Sequence, residues 1–326
     1  MKNATSTTKE DLSLNLLFIY ITWICQFLVI GVGNGLFATG ILAHSALRDR
    51  KEYLIIMGQC LSDSLMMLGY GCSGVYRIGL LLADQFKGQK TLLYCMTHPS
   101  VIGWSLERSG AVMLVFLSLD RLISVSSPLA YLSMGRAYAY SLLFIAFILG
   151  PGFWLSGLLS VLLQGKQLAT VAAPCFSGEA YRAVSQHYAY YGMYNVPVLG
   201  MLSVLLYIGV WVAYKKKTQV VAGVEDKVGQ AAERKRQQRL TQSLGVSCIC
   251  TLTVLVIPMG LARTGELYQW PRLFLQLLWV VSNFNPFCNM IIFQNRLPDL
   301  KYSVKVLFSR KPMPNNLSMW PGNGKR

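Results

Sequence analysis

The chain has 326 residues, of which 53% are hydrophobic and 13% charged, and its mean hydropathy is +0.42. A water-soluble domain carries about 25% charged residues, so a globular enzyme is excluded in favour of a protein built into a bilayer. In a soluble chain the net charge of +16 would suggest nucleic acid, but here the basic residues follow the topology of a membrane protein and no nucleic-acid partner is expected.

Residues 1–13 precede the first apolar run and hold a glycosylation sequon at Asn3. Seven apolar runs follow, at roughly 14–43, 53–82, 98–122, 138–163, 188–214, 241–262 and 273–293. Each is near or above the ~20 residues that an α-helix needs to cross the hydrocarbon. Helices are the spanning element because each backbone group then finds its partner within its own segment. The first run is about twice the length of the apolar core of a cleavable signal, and it reads as a span. Its glycines, Gly31 to Gly35, lie mid-helix with no strand before them and serve close helix packing rather than a nucleotide. Asn34 is the one polar group there.

The second run carries Asp63. The third carries Trp104 and the adjacent charges Glu107 and Arg108, and it ends on Asp120-Arg121, with Pro128-Leu129 just beyond. Pro151 and Pro197 lie in the fourth and fifth runs, Pro258 in the sixth, and Ser282, Asn285-Pro286 and Asn289 in the seventh. Interior prolines are tolerated in membrane bundles. The connection 214–240 turns into good helix formers from Gln230 onward and is expected to extend the sixth helix. After the seventh run, Leu297, Leu300, Val304, Leu307 and Phe308 recur at helical spacing, with Lys301 and Lys305 on the other face. Pro298 and Asp299 suit a helix start, so the pattern predicts a short amphipathic helix over about 298–309, lying on the membrane. The organisation is therefore a terminus of residues 1–13, one membrane domain over 14–293 and a tail over 294–326.

With the N-terminus outside, the inner segments 44–52, 121–137, 214–240 and the tail from 294 hold 3, 2, 8 and 7 Lys or Arg, against 9 in the outer segments. That asymmetry predicts a multi-pass protein with its N-terminus outside and its C-terminus in the cytoplasm. Six of the eight cysteines lie within apolar runs. Cys95 and Cys175 fall in outer loops, on the oxidising side, and suggest one disulfide. The three histidines, His44, His98 and His187, do not cluster, so no metal site is expected. No catalytic arrangement points to an enzyme.

Taken in order, these residues resemble the rhodopsin-like G-protein-coupled receptors from residue 33 to about 310. Gly33-Asn34 is similar to the Gly-Asn of the family's first helix, and LSDSLM at 61–66 to its second-helix motif, with Asp63 as the acid. Asp120-Arg121 with Pro128-Leu129 resembles the Asp-Arg-x and Pro-Leu pairs, and SNFNPFCN at 282–289 resembles Asn-Pro-x-x-Tyr. DRLISVSSPLAYLSM is most similar to the srsx-like serpentine chemoreceptors of nematodes.

The resemblance implies an all-α membrane protein: a seven-transmembrane helix bundle with a short amphipathic eighth helix, in the plasma membrane. It implies a chemosensory, neuropeptide or amine-like receptor that passes an extracellular small-molecule or peptide signal to a heterotrimeric G protein, with no catalysis. Asp120, Arg121, Pro128, Leu129, Pro258, Asn285, Pro286 and Asn289 would serve activation and coupling. Asn34, Asp63, Ser282 and Asn285 would form a polar site able to take a sodium ion, the one cofactor implied. Asp120 is expected to neutralise Arg121, as its only partner, while the bundle is closed. The chain departs from the family at Asn289, where a Tyr is usual, at Val256, where a Trp stands two residues before the proline, and at Cys95, which lies 26 residues before Arg121, one more than usual. A transporter or channel is the alternative reading, as is a seven-helix protein that has lost signalling. The first would show paired repeats, which are not seen.

A ligand pocket is read around Glu107. It stands 14 residues before Arg121, about 21 Å along a helix. Its neighbour Arg108 points ~100° away and cannot pair with it face to face. Tyr190, Met193 and Tyr194 lie at helical spacing to face Glu107 across a cavity that Trp104 and Trp279 would line and Arg263 would guard. An acid among aromatic rings suits a ligand amine.

Overall fold

The computed structural model describes residues 4–221, 238, 241–268 and 270–309. The glycosylation site at Asn3 and most of the expected extension from Gln230 lie outside the described residues, as does the side chain of Met193. The first run folds as α1 (Ala4–Gln26) and α2 (Val32–Ala43), joined by a π-turn at Phe27–Gly31. The short α3 (Ser45–Arg48) leads to α4 (Lys51–Leu82). Then come α5 (Leu92–Met96), α6 (Pro99–Ser126), α7 (Pro128–Ser133) and α8 (Arg136–Leu163), followed by α9 (Ser177–Val184) and α10 (Gln186–Val221). The sixth run comprises α11 (241–250), a π-turn at Thr251–Val256 and α12 (Ile257–Leu267). The seventh is α13 (Arg272–Ser282) and α14 (Asn285–Arg296), and α15 (Pro298–Ser309) closes the described chain.

Six of these stretches are long and apolar enough to cross a bilayer. The seventh is in two pieces, which corrects the expectation of one helix over 273–293. The reason is local: Pro286 is the second residue of α14 and has no N–H to return to the preceding turn, so the helix stops at Ser282 and restarts. Pro258 likewise stands second in α12, after the π-turn. Pro151 and Pro197, by contrast, lie inside α8 and α10. At the head of α6, the His98 side chain accepts from the Ser100 N–H at 3.2 Å. Burial, with the nearby Arg77 charge, holds the His98 imidazole down to about 4, so it is neutral and free to accept.

The bundle is built around α6, which packs against α4, α10 and α8. Where α4 crosses α6, two glycines meet: a Cβ on Gly103 would stand 2.9 Å from the Gly69 Cα, so the backbones touch as small residues allow. Gly35 makes a similar approach, with Ser64 Oγ 3.0 Å from where a Cβ would stand. One buried cluster, including Ile41, Leu54, Met113 and Phe293, fills the half of the bundle nearer Asp120. Leu297, between α14 and α15, and Leu300 of α15 join it, the Tyr53 hydroxyl donates to Asp299 Oδ2 at 2.9 Å, and Lys301 and Lys305 stay exposed. A second cluster, with Leu92, Met96, Val161 and Tyr181, surrounds the Cys95–Cys175 disulfide at the other end. Above it, β1 (Gln89–Thr91) pairs antiparallel with β2 (Thr170–Ala172).

Gly103→Val is expected to drive side-chain carbons into the α4 backbone, where no rotamer relieves them, and to destabilise the bundle by about 1–3 kcal/mol or more. Thermal unfolding of the detergent-solubilised chain measures it.

Candidate functional site

At one end of the bundle, Arg121 and Asp120 are each 1% exposed. Arg121 Nε donates to Asp120 Oδ2 at 3.0 Å, and Nη2 donates both to the same carboxylate and, at 2.9 Å, to the Tyr131 hydroxyl. The Tyr131 hydroxyl in turn donates to Asp120 Oδ2 at 3.3 Å. Asp120 is therefore not the only partner of Arg121, which corrects the sequence expectation: α7 folds back beneath α6 and brings Tyr131 to the pair. Burial pushes the Tyr131 hydroxyl well above the ordinary tyrosine range, so it stays a donor. Lys51 lies 3.6 Å above the Tyr131 ring and donates to the carbonyls of Tyr131 and, at 2.8 Å, Met134. Ser247 donates to Asn289 Oδ1 and Thr251 to Asn285 Oδ1 at 3.1 Å, tying the sixth segment to α14. Pro128 starts α7, and Leu129 is 83% exposed.

In the middle of the bundle, Gln59 donates to Asp63 Oδ1 at 2.9 Å, and Asp63 Oδ2 is buried with no hydrogen-bond partner among the described residues. Ser282, Asn285 and Glu107 share with Asp63 a small cavity of about 20 Å³. That volume suits one water or small ion, and the unpartnered carboxylate oxygen fits a monovalent cation. Asn34 is buried nearby on α2 but is not among the residues that line this space; its Nδ2 donates to Ile30 O at 3.0 Å.

Towards the disulfide end lies the larger cavity, about 360 Å³. Tyr20 and Trp23 of α1, Tyr70 and Arg77 of α4, and Trp104 of α6 line it. Arg263 of α12, Gln276 and Trp279 of α13, and Glu179 and Arg182 of α9 complete its walls and mouth. Glu107 does not line it: Tyr70 does, and the Tyr70 hydroxyl donates to Glu107 Oε2 at 3.0 Å. Arg108 is also turned away, its guanidinium 4.2 Å from the Trp104 ring and 3.8 Å from that of Phe153, with Nη2 donating to Gly192 O at 3.3 Å. Next to it, burial raises the Tyr181 hydroxyl to about 12.

The structure thus brings Trp104, Arg263 and Trp279 to one cavity and leaves Glu107 and Arg108 behind its wall. It does not bring Tyr190 or Tyr194 there: they are 47% and 39% exposed, on the outer face of α10. The helical spacing was right, but in a segment apolar all round it does not say which way the face turns. Sequence reasoning missed Arg77, Tyr70 and Trp23. Arg77 lies within the second run and could have been flagged as an intramembrane charge, but near the run's end it counts equally well as a loop residue.

A family model described as "Serpentine type 7TM GPCR chemoreceptor Srsx" matches residues 27–296. The chain is 25% identical over 313 residues to trace amine-associated receptor 7c of Rattus norvegicus, covering 88% of this chain and 80% of that receptor. Trace amine-associated receptor 7e of the same species is 24% identical over 307 residues, with the same coverage.

Tyr131→Phe removes one donor from a buried carboxylate and one acceptor from Arg121, and is expected to cost about 1–2 kcal/mol. Tyr138→Phe is the control, because its buried hydroxyl has no partner among the described residues. Thermal unfolding should separate the two, with Tyr138→Phe neutral or stabilising.

Proposed function

The chain belongs to the serpentine Srsx chemoreceptors, which are seven-transmembrane G-protein-coupled receptors, and from that membership we propose how this receptor is oriented and how it switches. It lies in the plasma membrane with residues 1–13 and the Cys95–Cys175 end outside, and residues 294–326 in the cytoplasm. The charge asymmetry along the sequence supports that orientation, and an outside location suits the disulfide. An extracellular ligand enters the larger cavity, and a heterotrimeric G protein meets the opposite end.

The observation that carries the reading is the Asp120–Arg121–Tyr131 cluster. A guanidinium 1% exposed, five residues from the end of α6, is held by a carboxylate and a phenol rather than by water. In the closed bundle those partners occupy it. Ligand contact with Arg263 and Trp279 bears on α12 and α13, which join the two interrupted segments. Movement there strains the Thr251–Asn285 and Ser247–Asn289 bonds and lets α11 swing away from α14. Arg121 then exchanges its internal partners for the G protein, a two-state change biased from the far side of the membrane. Pro128 sets the start of α7 so that Leu129 is presented as an apolar contact for that partner. Asp63, Ser282 and Asn285 would hold a sodium ion in the small cavity, its charge neutralising the carboxylate. The rat relatives are named for trace amines. Glu107 is the acid an amine would seek, but it is reached only by displacing Tyr70.

In lipid nanodiscs the receptor is expected to accelerate guanine-nucleotide exchange on at least one class of Gα. Leu129→Asp should abolish the acceleration and leave the melting temperature unchanged. Exchange that no Gα class shows, with or without a small-molecule library, or that Leu129→Asp leaves intact, would sink this reading of the Asp120 end.

A further inference from the structure

The larger cavity carries a statement about the charge of its ligand. Three tryptophans line it, and the ring of each is covered by an arginine of the protein itself. Arg77 lies 5.1 Å from the Trp23 ring, Arg108 4.2 Å from that of Trp104, and Arg263 4.4 Å from that of Trp279. A ligand ammonium is normally held by just such aromatic faces. Here Arg77 and Arg263 use two of them from within the wall, and Arg108 covers Trp104 from behind it.

Arg77 and Arg263 are themselves part of the wall, at 3% and 6% exposure. Arg77 forms no ion pair with any described carboxylate. Two of its N–H groups go to backbone carbonyls, Nε to Pro174 at 3.0 Å and Nη2 to Cys175 at 3.5 Å. Its Nη1 has no hydrogen-bond partner among the described residues. Stacking fixes the plane of a guanidinium and leaves its N–H edge, the part that grips a carboxylate, pointing off the ring. At the mouth, Glu179 and Arg182 are both exposed, and the charge of Glu179 acts on Arg77. Glu107, the acid nearest the interior, is engaged by Tyr70 and lies outside the cavity. Among the described side chains, an amine entering would meet the Arg77 and Arg263 guanidiniums in the wall, with Glu179 exposed at the mouth and Glu107 behind Tyr70.

We propose that the cavity selects an organic acid: a carboxylate on a flat apolar body, the acid facing Arg77 and Arg263 and the body against the aromatic walls. This rests on the reading of the cavity as the ligand site, and it departs from an amine ligand. The volume admits a molecule of small-ligand size.

The test uses the full chain in detergent and matched probes that share one ring system and differ only in the terminal group: indole-3-acetate, indole-3-acetamide and tryptamine, with the phenyl and naphthyl counterparts. Affinity is read from the rise in melting temperature with probe concentration. In at least one series the acid should stabilise most, the amide less and the amine least. Arg263→Gln should weaken the acid roughly thirtyfold, the usual scale for a lost buried charge contact, and leave the amide unchanged. Arg77→Gln should do the same. If that variant melts lower without ligand, because Arg77 also holds the loop at Cys175, Arg77→Lys replaces it and should retain part of the acid preference. Amines that bind as well as acids in every series, acids that never exceed their amides, or an acid preference untouched by both arginine variants would each overturn the proposal. Gln276→Trp fills the cavity and tests its location separately. Acid binding that survives Gln276→Trp overturns the cavity as the ligand site even where the preference for acids stands.

Discussion

Hydrocarbon offers no hydrogen bonds, so each polar or charged side chain carried into this bundle must find its partner inside it. The buried charges are placed by that requirement. Arg121 is met by Asp120 and Tyr131, Asp63 by Gln59, Glu107 by Tyr70, and Arg77 by the carbonyls of the loop that the disulfide holds. Arg108 takes a carbonyl and two aromatic rings instead of an acid. Most of these contacts join different segments, so satisfying them also decides which helices lie side by side. Partners of this kind stabilise through avoided loss: removing one leaves the other buried and unpaired, which costs more than the bond contributes.

One helix carries both ends of the device. α6 runs unbroken from Pro99 to Ser126, roughly 42 Å at 1.5 Å per residue. It presents Trp104 to the larger cavity and Asp120-Arg121 to the opposite end, and α4, α8 and α10 grip it along its length. The sixth and seventh segments differ in build. A π-turn at Thr251–Val256 and the break between Ser282 and Asn285 interrupt their helical ladders. Interruptions of this kind recur at functional sites because fewer backbone bonds must be broken for the two halves to move. The first segment carries a π-turn as well, at Phe27–Gly31, and the continuous central helix gives these interrupted segments a fixed frame to shift against.

The departures from the family pattern fit this arrangement. Asn289, in place of the usual Tyr, has a carbonyl oxygen that accepts from Ser247. Val256 replaces a Trp at the end of the π-turn and is buried. Trp279, from the seventh segment, carries aromatic bulk to the floor of the larger cavity instead, and Arg263 lies over it.

The pattern of apolar residues set how many segments enter the bilayer and that they are helical. The sequence also marked the two loop cysteines, the amphipathic helix after the seventh run and the Asp120-Arg121 pair. All of these are properties of length, composition and local spacing. The family membership followed from the same local motifs. Tertiary structure alone decided which side chains meet. Asp120-Arg121 was legible as a pair because its members are adjacent, but Tyr131, ten residues on, reaches it only because α7 folds back. Trp104, Arg263 and Trp279 were named from sequence and share a cavity, yet Arg77 and Tyr70 were missed, and Tyr190 and Tyr194 turned outward. The physical reason is rotational. A helix of a soluble protein records its inner face in the alternation of apolar and polar residues, whereas a span that is apolar on every side leaves its rotation about the axis unwritten. That angle is set by packing: by the glycine contact of α4 on α6, and by the partners that each buried charge requires.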